Sequence, residues 1–350
     1  MNIYVAAPTL QTIAIVDYCN SIIWHEKFCG TGDFEIALPA SPGMNLIFKK
    51  DNLVYREDND TVMIVEKIQL TTSDESGDQV IVSGRSCDAI IARRIVWTQQ
   101  TFAGNVCQCV EALLNNNLIN PADPARKIDL IAMGDCPAIA QTIQKQMTGD
   151  NLLDAIIEIL TNYKLGYKLR MDLGRLGGKL FFHITQGTDR SEGNADGNPV
   201  VRFSPEFDNL PSSEYVFDTS KYRNEALIGG EGEGSARTYA AVGGNVGLDR
   251  YELFVDARST SSNNGEITAD VYLAQLAEEG KEKLAENAIT ETFAGEIEEC
   301  SSYCYGEDYF LGDIVQIENA YGIGAKVRIT DVTEKLDDSG NAIVVEYENV

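Results

Sequence analysis

A chain of 350 residues is long for one compact core, so two or three domains are expected. With 44% hydrophobic, 8% aromatic and 23% charged residues and no low-complexity tract, the composition excludes wholesale disorder and fibrous repeats. Lys and Arg total 28 against 54 Asp and Glu, and a net charge of −26 repels phosphate backbones and anionic lipid, which argues against sequence-specific nucleic-acid binding and against a membrane anchor.

The first hundred residues read as antiparallel β. Ile3 to Val5, Thr12 to Val16, Ile22 to Phe28, Phe34 to Pro39, Leu46 to Phe48, Asn52 to Glu57, Val62 to Thr72 and Gln79 to Arg85 are short and rich in β-branched and aromatic residues. Polar turns at Asp58-Asn59-Asp60 and 74–78 separate alternating runs, which favours a small barrel or sandwich. After Trp97 the period changes. Val106, Val110, Leu113 and Leu114 share a helical face behind a Thr101 cap, and Leu152, Leu153, Ile156, Ile157 and Leu160 do so behind Asp150. These helices are expected to pack on strands at Tyr167 to Met171 and Lys179 to Gln186, followed by a polar, glycine-rich loop from Gly187 to Asn198. Strands return at Val200 to Phe203, Tyr215 to Asp218, Glu225 to Gly229, Arg237 to Val242 and Tyr251 to Val255. Thr268 to Ile289 reads as the longest helix, weakened at Gly280 by about 1 kcal/mol relative to Ala. Tyr309 to Val350 is again β, with its last turn at 337–341.

The chemistry-bearing motifs are few. Eight cysteines, among them Cys107-x-Cys109 and Cys300-x-x-x-Cys304, match no zinc spacing and read as reduced thiols. The first 25 residues carry one charge, Asp17, but lack a basic start, and Pro8, Gln11 and Asn20 interrupt them, so neither a signal peptide nor a membrane span is expected. Gly229-Gly230-Glu231-Gly232-Glu233-Gly234 has two glutamates in the loop and no following lysine, so it reads as a turn or a subunit contact, not a phosphate loop. Glu192-x-Asn194-x-Asp196-Gly197 imitates half of a calcium loop, but Phe203 stands where the bidentate glutamate belongs. His25 and His183 sit in alternating strands with no nucleophile pattern beside them. No catalytic, cofactor-binding or metal-ligating residue is assigned, and the chain is not expected to be an enzyme.

Three sets of segments resemble a known family: Met1-Asn-Ile-Tyr-Val5 with Ser21-Ile-Ile-Trp24 and 32–39, then 230–237 with 247–258, then Phe310-Leu-Gly-Asp-Ile-Val315. They are similar to the tail-hub or tail-associated proteins of siphophages and phage-tail-like contractile particles. The resemblance implies an α+β, mainly β chain: two small antiparallel β-barrels with an inserted α+β portion, like the baseplate hub of contractile phages. The first barrel would be residues 1–100, the α+β domain 101–204 with 241–299, and the second barrel 205–240 with 300–350. It further implies a homotrimer whose six barrels mate with a hexameric tail tube or tube-initiator protein on one side and a trimeric spike or central fibre on the other. Such a particle assembles in the bacterial cytoplasm, with the hub at the distal end of the tail. By the same resemblance the chain is expected to end at the second barrel, which would leave no room for a fused wall-degrading or receptor-binding domain.

Glu231, Glu233, Arg237, Arg250 and Arg258 are the candidate subunit or partner contacts, their other reading being solvated turns and strand faces. Two rival functions are a tail-tip cell-wall hydrolase and a carbohydrate-binding module. The charge is uneven: residues 1–100 hold 13 acids and 8 bases, 101–185 hold 8 of each, and 186–350 hold 33 and 12. An acidic second half facing a central channel would keep DNA from adhering in transit.

Overall fold

The computed structural model describes residues 2–72, 77–172, 178–210, 212–297, 302–337 and 340–350. Cys300 and parts of the two expected turns, 74–76 and 338–339, lie outside the described residues.

The first β unit comprises β1 (Ile3–Ala6), β2 (Thr12–Val16), β3 (Ser21–Lys27), β4 (Asp33–Pro39), β5 (Leu53–Arg56), β6 (Asn59–Thr71) and β7 (Gln79–Ser86), with one helical turn, α1 (Met44–Ile47), before β5. The expected strand at Leu46 to Phe48 is displaced by that turn. Gly43 takes φ 92, where glycine meets no Cβ clash, and the Phe48 amide donates to the Met44 carbonyl at 2.9 Å, burying the Phe48 ring. Period-two alternation turns Ile22, Trp24, Phe34, Ile36, Val80 and Val82 to one face, and these close one core.

A mixed portion follows: β8 (Gln100–Asn105), α2 (Val106–Leu114), β9 (Ile131–Met133), β10 (Thr142–Met147), α3 (Leu152–Asn162), β11 (Gly166–Asp172) and β12 (Lys179–Thr185). The apolar stripes of α2 and α3 share a core with Leu53, Val62 and Ile64 from the other face of β5 and β6. Both helix caps lie downstream of the expected residues. Thr101 is inside β8, and Asn105 caps α2 by accepting from the Cys107 amide at 2.9 Å. Asn151, not Asp150, caps α3, accepting from the Leu153 amide at 3.0 Å.

The remaining elements are β13 (Arg202–Phe203), β14 (Ser212–Asp218), β15 (Glu225–Gly229), β16 (Tyr239–Val242), β17 (Glu252–Asp256), α4 (Ala269–Ala285), β18 (Thr290–Ile297), β19 (Ile314–Glu318), β20 (Gly324–Asp337) and β21 (Gly340–Asn349). Their pairing differs from the expected division in two places. β15 pairs with β16 and β17, and this three-stranded layer packs on α4 around Ile228, Val255, Tyr272 and Leu276, so 225–240 does not join 300–350. Conversely β13 and β18, expected with the mixed portion, pair with β19 and β21. Gly280 lets α4 approach the layer, because a Cβ there would lie 2.5 Å from Ile228 Cδ1. The helix cost of that glycine is offset by closer packing.

Numbered in chain order, leaving out the outer strand β2, the six strands of the first unit run 1-4-5-6-3-2 across the sheet, as β1-β5-β6-β7-β4-β3. The second unit, β13-β19-β20-β21-β18-β14, has the same order, with β15 to α4 inserted between its second and third strands. The pairing of β1 with β5 is antiparallel, whereas that of β13 with β19 is parallel. Among the described residues neither unit closes on itself. The last strand of the first unit, β3, pairs instead with the second half of the 14-residue β20, so one sheet passes through both units.

Candidate functional site

Two polar constellations stand out, one in the inserted layer and one where the units join. In the inserted layer, β15 ends at Gly229 and the glycine-rich turn brings Arg237 back over it. The Arg237 guanidinium donates to the carbonyls of Gly229 (2.7 Å) and Gly230 (3.0 Å) and to Asp256 (2.5 Å), over the rings of Tyr239 and Phe254. A Cβ on Gly229 would meet that guanidinium at 2.6 Å, which is why glycine stands there. Arg258 pairs with the same carboxylate at 2.6 Å, and together the two arginines hold the Asp256 carboxyl well below the usual carboxylate range. Arg250 pairs with Glu252 (2.6 Å) and with buried Glu225 (3.2 Å), whose carboxylate also accepts from the amides of Gly244 and Asn245. The Glu231 carboxylate accepts from the Ser262 hydroxyl at 2.6 Å, its amide donates to Tyr272 Oη at 2.7 Å, and Glu233 is exposed. Four of the five candidate contacts are therefore engaged in bracing their own layer, and part of the acid of the second half is internal.

α4 ties this layer to the mixed portion. Lys145 Nζ lies 2.6 Å from Glu282 and 3.2 Å from Glu158, and burial pushes the Glu282 carboxyl up to about 7 against the pull of Lys145.

At the joint, β3 and β20 carry charges on both sheet faces. His25 sits between Asp33 (2.8 Å) and Asp331 (3.1 Å), and Lys27 pairs with Asp331 at 3.1 Å. The Asp331 hydrogen bond raises the His25 pKa in spite of burial. Burial opposes ionisation of Asp331, but His25 and Lys27 hold it below the usual range. On the other face Arg56 is buried over Trp24, with its centre 5.6 Å from the ring, donating to both oxygens of Asp58 (2.9 Å each) and to Glu334 (2.8 Å). Glu26 is buried beside them, accepting from Asn59 (2.8 Å), Thr61 and Tyr305 (3.2 Å). Burial pushes Glu334 up, with Arg56 opposing. These residues were not singled out from sequence, although a signal was present: Ile22, Trp24 and Glu26 are successive inward positions of one strand, and a carboxylate at a core position needs partners.

The remaining motifs resolve locally. The Asn194 side chain donates to the carbonyls of Ser191 and Asn198 and accepts from the Asn198 amide, so it braces its own loop. His183 Nδ1 accepts from the Asp135 amide at 3.0 Å. Among the described residues no three His, Cys, Asp or Glu side chains are grouped to hold a metal ion, Cys19, Cys29, Cys87, Cys107, Cys109 and Cys136 are free thiols, and no helix is long and apolar enough to cross a membrane.

The profile of the family described as Siphovirus ReqiPepy6 Gp37-like protein matches residues 2–346. No match to a curated protein sequence is found. The fold is similar to that of the tail protein from Neisseria meningitidis MC58, at TM-score 0.62 and 14% identity, covering 99% of this chain and 96% of that one. The 43 kDa tail protein of prophage MuSo2 from Shewanella oneidensis aligns at TM-score 0.57 and 13% identity, over 99% and 97% of the two chains. The prophage tail protein gp18 from Listeria monocytogenes EGD-e aligns at 0.54 and 13%, over 99% and 94%. Its two like-ordered β units are fused into one sheet, the chain belongs to the Siphovirus ReqiPepy6 Gp37-like family, and it carries the fold of phage tail proteins.

Proposed function

We propose that this chain is the hub at the distal end of a phage or phage-like tail, a homotrimer whose three copies set six similar β units around the tail axis. The observation that carries this reading is the repeat: two units of strand order 1-4-5-6-3-2 in one polypeptide, joined edge to edge. A trimer of such chains has near-sixfold symmetry, so one face matches a hexameric tube or tube initiator and the other a trimeric spike or central fibre. The two barrel-like units, joined through their edges within the ring, would be residues 1–86 and 200–218 with 290–350. Residues 87–199 and 219–289 would project from it. Glu231, Glu233, Arg237, Arg250 and Arg258 lie on the projecting layer, where their role is to shape a contact face.

The role is structural, without catalysis or cofactor. Light scattering of the purified chain, and electron microscopy of the tail, are expected to give a mass near three chains and a threefold ring. A strict monomer both free and in the particle overturns the reading. Release of sugar or peptide fragments from cell-wall sacculi, abolished by one carboxylate substitution, would overturn the non-catalytic role.

A further inference from the structure

Apart from its first strand the repeat keeps register, and it assigns a partner to two open strand edges. In the first unit Val65 exchanges backbone bonds with residues 51 and 52, and β6 bulges at Glu66 before continuing beside β7. In the second unit Ile329 exchanges backbone bonds with residues 312 and 313, and β20 bulges at Thr330 before continuing beside β21. Val65 thus corresponds to Ile329, and Lys67, Ile68 and Gln69 correspond to Asp331, Val332 and Thr333. The pairings of β7 with β4 and of β4 with β3, and of β21 with β18 and of β18 with β14, extend the match: Lys27, Glu26 and His25 correspond to Asp218, Phe217 and Val216.

Within one chain the stretch of β20 beyond its bulge is covered by β3, with Asp331 opposite Lys27, Val332 opposite Glu26 and Thr333 opposite His25. The equivalent stretch of β6, Lys67 to Thr71, is exposed, and among the described residues no strand pairs with it on the side away from β7. The equivalent of β3 is β14, an edge strand at one end of the sheet order, exposed at Val216, Phe217 and Asp218. The two open edges stand seven places apart in that order, so they do not meet within one chain. Open edges of this kind are ready templates for strand addition.

We propose that β14 of one copy pairs antiparallel with Lys67–Thr71 of β6 in the next copy of this chain, repeating between copies the joint that β3 and β20 make within one. The register is set by the repeat: Lys67 opposite Asp218, Ile68 opposite Phe217 and Gln69 opposite Val216. Its side chains are complementary. Lys67 and Asp218 restore, with the signs exchanged, the ion pair that Lys27 and Asp331 make at 3.1 Å, and Ile68 meets Phe217, two apolar residues that are 41% and 56% exposed in the single chain. The contact is head-to-tail, so it propagates from copy to copy until the ring closes. It deepens the hub reading and rests on it.

The test uses the full chain in its assembled tail. Under mild oxidation, Gln69→Cys with Val216→Cys is expected to give covalent species of two and three chains on a non-reducing gel, and either single variant none, which controls for the native thiols. Lys67→Asp or Asp218→Lys alone is expected to lower the assembled fraction about tenfold, and the two together to restore it, with the melting temperature of the free chain unchanged in Lys67→Asp, whose side chain is exposed, and slightly lowered in Asp218→Lys, which also gives up the Ser220 amide at 2.7 Å. A trimer that persists in both charge variants and gives no cross-link in the double-cysteine variant overturns this joint and leaves the hub reading standing. A strict monomer in solution and in the particle overturns both.

Discussion

Replacing Arg56 by alanine tests whether the joint between the two β units is held by its buried charges. The Arg56 side chain is 5% exposed and gives two hydrogen bonds to Asp58 and one to Glu334. Asp58 is 54% exposed and can rehydrate, but Glu334 is 22% exposed and stands beside Glu26, itself 4% exposed. The substitution leaves the half-buried Glu334 carboxylate, with Glu26 beside it, without its cation, which costs about 3 kcal/mol, the low end for a broken buried pair. Loss of the guanidinium from the Trp24 ring adds about 0.5–1 kcal/mol. The effect has a sign in pH. Burial already pushes the Glu334 carboxyl up and Arg56 opposes it, so without Arg56 it protonates more readily and the penalty shrinks as pH falls. Urea unfolding followed by Trp24 emission in a Trp97→Phe background reads the joint directly, because Trp24 is fully buried there and Trp97 is 65% exposed. A loss under about 1 kcal/mol near pH 8, or an equal loss near pH 5, would refute the argument.

Three further outcomes are expected. His25 is raised above its ordinary 6.5 by Asp331, so its contribution is full below that value and fades as pH rises through the folded-state value. Unfolding free energy should therefore fall as pH rises above about 6.5 in the native chain and stay flatter in His25→Gln, as followed by chemical denaturation. Gly84→Ala places a Cβ 1.9 Å from the Ile64 carbonyl oxygen, a backbone atom, at the β6 bulge; the pair must part, at about 2–3 kcal/mol of thermal stability. Arg237→Ala removes the donor to two loop carbonyls and Asp256, and amide exchange across 229–238 should quicken by about tenfold or more, while exchange in β3 and β4 is unaltered.

Local order was legible because its causes are local. Alternation marked β3, β4 and β7, the 3.6-residue period marked α2, α3 and α4, and the family resemblance quoted from scattered segments agrees with the profile match across residues 2–346. Where the structure departs from the expected elements, the competing cause is also near at hand: Gly43 turns the chain ahead of Leu46, and Asn105 and Asn151 stand closer to their helices than Thr101 and Asp150.

What tertiary structure alone decided is which strand lies beside which. Backbone hydrogen bonds carry no residue identity, so alternation assigns a side chain to a face without naming its neighbour. Glu225 to Gly229 and Tyr215 to Asp218 read alike as strands, yet one joins the inserted layer under α4 and the other the edge of the second unit. The pairing of β3 with β20 spans some three hundred residues of chain, and it places Arg56, Glu26 and Glu334 in one buried cluster that sequence shows only as scattered charges. The repeat is hidden for the same reason: its copies keep strand order, bulge position and register, which are properties of the hydrogen-bonded sheet, while the side chains along it, Lys67 against Asp331 and Lys27 against Asp218, are of opposite charge.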